Sequence, residues 1–150
     1  MKKIKKYIIP TVCIVMVALI GSLFTYSGMD WYETLVKPKE WVMSFVIPIM
    51  WTIIYSLFWL YMITSNYYLY PKIKNLLVIN GFLNIFWCFI YFVINSLLGG
   101  IIVIILNLIT SILLIVEISK IYKIWVYLLM IYPIWLCIAT VLNIAVFILN

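Results

Sequence analysis

The sequence contains no histidine and no arginine, and only four carboxylates in 150 residues. Without histidine, and with acids so sparse, a metal centre has no plausible ligand set. Nothing resembles an acid/base pair or an activated nucleophile either. The three cysteines, Cys13, Cys88 and Cys137, all lie inside apolar runs and form no CxxC. They read as small buried side chains, not as a redox or metal motif. Charged residues make up 9% of the chain, against about 25% in a soluble domain. So little charge excludes a water-soluble globule.

What is present is hydrocarbon. Hydrophobic residues account for 69% of the chain and the mean hydropathy is +1.27. The apolar runs lack the two-residue alternation of a barrel strand, so they read as membrane-spanning helices. The fold class expected is an all-α integral membrane protein: a single domain over 1–150, with five transmembrane helices at about 7–26, 46–65, 75–95, 101–119 and 125–149. A signal peptide is a weaker reading of the first run. It is about as long as a bilayer is thick, and it lacks a convincing cleavage site.

The net charge of +6 comes entirely from lysine. No basic face has room for a duplex, so nucleic acid is not an expected partner. Lys2, Lys3, Lys5 and Lys6 precede the first span, Lys72 and Lys74 lie between the second and third, and Lys120 and Lys123 between the fourth and fifth. Only Lys37 and Lys39 fall in an alternate segment, offset by Asp30, Glu33 and Glu40. The positive-inside rule therefore predicts the N-terminus inside, the C-terminus outside and the long 27–45 loop outside. Five spans require the same parity. Glu117 is expected to act as an anchor paired with Lys120.

The stretch 31–55, WYETLVKPKEWVMSFVIPIMWTIIY, gathers two of the four acids, Lys37-Pro38 and several aromatics between two apolar runs. It belongs at a membrane surface, as an aromatic belt or as a lid. Inside the spans, polar and indole groups recur at helical spacing. Trp51 and Tyr55 form one such face, Asn80, Asn84, Trp87 and Tyr91 a second, and Trp135, Ala139 and Asn143 a third. Asparagine facing lipid is costly, so these faces should meet protein, water or a ligand. Ordinary interhelical hydrogen bonding explains any one of them. Three together with an aromatic cap suggest a pocket for a flat, mostly apolar molecule. On the first span Ala18, Gly21, Ser22 and Thr25 share a face that lets a neighbouring helix approach.

WYETLVKP resembles the WYxxLxKP signature of the TspO/MBR family, the tryptophan-rich sensory proteins related to the mitochondrial translocator protein and peripheral-type benzodiazepine receptor. The likeness continues through Trp51 and Tyr55 in MWTIIY, Asn80, Asn84 and Trp87 in NGFLNIFW, and Pro133, Trp135, Ala139, Leu142 and Asn143 in PIWLCIATVLN. It implies a five-helix bundle, a homodimer, and a cavity beneath the first loop that binds tetrapyrroles such as protoporphyrin IX and haem. By motif, the ligand-binding candidates are Trp31, Tyr32, Trp51, Asn80, Asn84, Trp87, Trp135 and Ala139. Trp51 and Trp135 match tryptophans linked in the family to light-dependent porphyrin breakdown, and so are the candidates for catalysis. The implied function is a membrane receptor or carrier, with porphyrin or haem as ligand and no required cofactor. Alternatives are a light- and oxygen-dependent porphyrin-degrading enzyme, a small-molecule transporter and a lipid-binding scaffold. The implied location is a bacterial cytoplasmic membrane. Three departures stand out. The Trp-x-Pro or Trp-Pro-Pro element usual in the family soon after Lys-Pro is not met, since Trp41 comes one place late and no proline follows Pro38 until Pro48. No cholesterol-type motif follows Lys123 in the fifth span, and arginine, frequent in the family's loops, is missing.

Overall fold

A computed structural model describes residues 3–39 and 42–150, with side chains from residue 5 onward; Lys2, Glu40 and Trp41 lie outside it. The described chain is 85% helical, without strands. Seven α-helices run in order: α1 Lys3–Ser27, α2 Met29–Thr34, α3 Val46–Thr64, α4 Pro71–Cys88, α5 Leu97–Ser119, α6 Lys123–Leu129 and α7 Ile131–Leu149. A 3-10 turn at Tyr67–Leu69 precedes α4, and a π-helical turn at Phe89–Val93 extends it. Five units are long and apolar enough to cross a membrane: Lys5–Ser27, Val46–Thr64, Pro71–Val93, Leu97–Ser119 and Lys123–Leu149. The protein is an integral membrane protein.

Local chemistry sets the boundaries. Pro48 sits in the first turn of α3 and Pro71 opens α4, where a missing N–H is harmless. The third span therefore begins at Pro71, four residues before the expected start, and Lys72 and Lys74 lie on its first turn. Ser96 caps α5, its hydroxyl accepting from the Gly99 N–H at 3.1 Å. Just before it, Asn95 takes φ 57°, a left-handed conformation that asparagine tolerates. The fifth span is divided into α6 and α7. Pro133 has no N–H for the Leu129 carbonyl, so the helix is interrupted there. The 27–45 segment is no simple loop, because α2 forms two turns within it.

The five spans close into a ring. The first packs on the second and third, the third on the fourth, the fourth on the fifth, and the fifth back on the second. Of the small face of α1, Gly21 turns inward to α4 with Ala18 and Thr25 half-buried, while Ser22 is exposed. Gly21 is buried, and a Cβ there would stand 3.4 Å from Cys88 Sγ. Thr25 turns its hydroxyl onto the Gly21 carbonyl at 2.9 Å, which hides one more polar group. Lys120 Nζ meets Glu117 Oε1 at 2.6 Å, the pairing expected at the end of the fourth span. Both are surface groups, so the pair contributes little to stability.

Gly28 is the joint between α1 and α2. A Cβ built there would lie 2.0 Å from the Phe92 carbonyl oxygen. Backbone of the π turn occupies the space a side chain would need, and neither partner can rotate away. Gly28→Ala should therefore destabilise the protein by about 1–3 kcal/mol, read as a lowered Tm in detergent. Gly81→Ala, whose nearest neighbour is a Val17 methyl group at 3.3 Å and not backbone, should be milder. Equal Tm values for the two variants would refute the close-packing account.

Candidate functional site

Tyr132 stands where four spans converge. Its ring packs edge-on against Phe58 at 5.1 Å and against Trp51 at 6.4 Å, both on α3. Its hydroxyl accepts a hydrogen bond from Asn84 Nδ2 at 2.9 Å. The same hydroxyl lies 3.0 Å from Asn80 Oδ1 and 3.1 Å from Asn107 Oδ1. A phenol has one proton, so it donates to one of these oxygens at a time. Asn107 Nδ2 in turn donates to Asn84 Oδ1 at 3.1 Å. The remaining protons of Asn80 and Asn84 reach the backbone carbonyls of Leu76 and Asn80 at 3.1 and 3.0 Å. α4, α5 and α7 are thus tied by one buried network, in which Asn107 is 1% exposed. Asn80 and Asn84 come together as their spacing suggests, and their amides bond to protein.

Above this hub α7 presents a continuous inward stripe. Trp135, Ala139, Asn143 and Val146 follow Tyr132 at helical spacing, a rise of about 21 Å from Tyr132 to Val146. Trp135 is 3% exposed, and its indole N–H has no acceptor among the described residues. Trp51, Trp87 and Ala139 pack, half-buried, against the core cluster that contains Trp135. Trp51 also lies against Tyr55, ring to ring at 5.5 Å. Trp87 donates to Asn143 Oδ1 at 3.3 Å and stacks on Tyr91 at 5.1 Å.

Tyr91 connects this interior to α2. Trp31 and Tyr32, both on α2, approach its ring at 5.8 and 6.2 Å, and Tyr32 lies 5.6 Å from Phe92. The π turn explains why both Tyr91 and Phe92 are buried. A widened turn brings two successive side chains toward the bundle. Burial pushes the Tyr32 hydroxyl above the ordinary phenol range. Lys37 Nζ sits 4.3 Å over the Tyr32 ring. Beyond it the chain is fastened to α7. The Val36 N–H donates to Asn150 Oδ1 at 2.9 Å, and Asn150 Nδ2 donates to the Val36 carbonyl at 3.0 Å.

The candidates therefore fall into two connected groups. Trp51, Asn80, Asn84, Trp135 and Ala139 surround or adjoin the Tyr132 hub, while Trp31, Tyr32 and Trp87 meet at Tyr91. Tyr132 and Asn107 belong to the same interior without lying on a face that the sequence singles out, and Tyr91 and Asn143, which do lie on such faces, join them there. Asn107 and Asn143 carried a signal, an amide in mid-span. Tyr132 carried little, since tyrosine is common in the chain. Two grooves of about 350 and 430 Å³ lie elsewhere, one between α5 and α7 and one beside 36–39. Among the described residues, no three of His, Cys, Asp and Glu are grouped to hold a metal.

Comparison with known families adds one finding. The family model for the TspO/MBR family matches residues 9–149, nearly the whole chain. The chain belongs to the TspO/MBR family. No curated protein matches it at a significant level. Every candidate residue falls within the matched range of this TspO/MBR protein.

Interhelical hydrogen bonds in membranes contribute about 0.6 kcal/mol on average and up to about 1.7. The Tyr132 hydroxyl serves three side chains, so Tyr132→Phe should cost near the upper figure, about 1.5 kcal/mol. Tyr127→Phe, at an exposed position, is the control and should cost nothing. Reversible unfolding in mixed detergent measures both, and equal stabilities would deny the hub its role.

Proposed function

We propose that this TspO/MBR protein is a membrane receptor or carrier for tetrapyrroles, binding protoporphyrin IX or haem within the helix ring beneath α2. The observation that carries the reading is the Trp135 indole N–H. A buried donor without an acceptor costs stability, and here it lies in an interior built from flat rings and neutral amides. A macrocycle with π faces and polar edges suits such a lining. Family membership fits the same role.

In this reading the macrocycle stacks on Trp51 and Trp135, and an acceptor on its edge takes the Trp135 N–H. Asn80 and Asn84 act through the Tyr132 hub by holding the floor in place. Trp31 and Tyr32 form the lid, which must lift from Tyr91 for entry because the interior side chains pack against one another. The lid lies on the outer face of a bacterial cytoplasmic membrane and the lysine-rich ends lie inside, as the charge bias suggests. Two chains form a homodimer.

Replacing both indoles, Trp51→Phe with Trp135→Phe, removes stacking area and the free donor. Aromatic pairs contribute about 0.5–1.5 kcal/mol each, so protoporphyrin IX should bind about tenfold more weakly. The visible absorption of the porphyrin, titrated with protein in detergent, reads this directly. A titration curve identical to that of the parent protein would sink the assignment.

A further inference from the structure

The groove of about 430 Å³ beside the lid has two unlike walls. One is Lys37, Pro38 and Lys39, in the chain that follows α2. The other is Ala145, Ile148 and Leu149, on the last turns of α7. Ile148 is 74% exposed, so this apolar wall faces outward from a membrane-spanning helix, away from the Trp135 interior. Both lysines are exposed. The groove is also held open by something other than the lysines, since Asn150 grips both backbone groups of Val36. The segment carrying the two ammonium groups is thereby fixed against the end of α7.

We propose that this groove binds an anionic phospholipid, with an acyl chain along Ala145, Ile148 and Leu149 and the phosphate between Lys37 and Lys39. The walls select for that combination. A free anion would leave the hydrocarbon wall unused, and a zwitterionic lipid would carry no net charge for the lysines. Long lysine side chains at a helix end reach the headgroup layer while their stems lie on apolar surface. Lys37 also stands over the Tyr32 ring, so a headgroup gripping it holds the lid-side segment down. The lipid is thus a brace on the lid.

The test uses the full chain in detergent, without porphyrin, so its outcome is independent of the pocket reading. Phosphatidylglycerol and phosphatidylcholine of equal chain length are added separately, and retained lipid is counted by native mass spectrometry. Phosphatidylglycerol should be retained preferentially. A surface lysine is worth about a factor of five toward anionic lipid, so Lys37→Gln with Lys39→Gln should weaken its retention about twentyfold. Lys72→Gln with Lys74→Gln, at the opposite end of the bundle, should change it little. Ile148→Asp, which sets an anion on the exposed wall, should weaken retention while both lysines remain. Equal retention of the two lipids, no loss in the Lys37/Lys39 variant, or an equal loss in the Lys72/Lys74 variant would overturn the proposal. So would displacement of the lipid by millimolar inorganic phosphate, which would mark an anion site without a lipid.

Discussion

A hydroxyl or amide in the middle of a bilayer has no water to turn to, so it must find its partner inside the protein. The Tyr132 hydroxyl and the side chains of Asn80, Asn84 and Asn107 meet this requirement together, at 2.9–3.1 Å. Because each group depends on another span, the network fixes the angular setting of α4, α5 and α7 about their own axes. Hydrocarbon packing alone would not do so, since a leucine gains little by facing protein instead of lipid. The inward stripe of α7, and with it Trp135, inherits its orientation from this anchor.

The seating of α2 depends on backbone fit more than on side-chain chemistry. Gly28 lies against the Phe92 carbonyl, and the π turn that carries Phe92 also presents Tyr91 to Trp31 and Trp87. Asn150 closes the other end by pairing with Val36. The segment over the ring is therefore held at both ends, by a close glycine contact and by a pair of hydrogen bonds to the Asn150 amide.

The interior also has a consistent character. The described carboxylates, Asp30, Glu33 and Glu117, all lie near helix ends or in the lid segment, and the described lysines do likewise. The ring encloses indoles, phenols and amides and keeps charge at its rim. Lys37 and Lys39 stand exposed at that rim.

Hydropathy alone determined the five spans, because a bilayer sets a length and tolerates few charges within it. Helical period was enough to place Asn80 with Asn84 and Trp87, and Trp135 with Ala139 and Asn143, on shared faces. The motif series was enough to point to the family. Spacing along one helix says nothing about which neighbour a face will meet, so the order of spans around the ring was not readable. Tyr132 becomes a hub only because α4 and α5 both adjoin it there. The π turn was hidden for a similar reason: Phe89–Val93 is as compatible with an α-helix locally, and its packing beneath Gly28 and α2 decides the wider turn. The orphaned Trp135 N–H is likewise a tertiary fact. Any indole can find an acceptor in some setting, and only the packed ring leaves this one without.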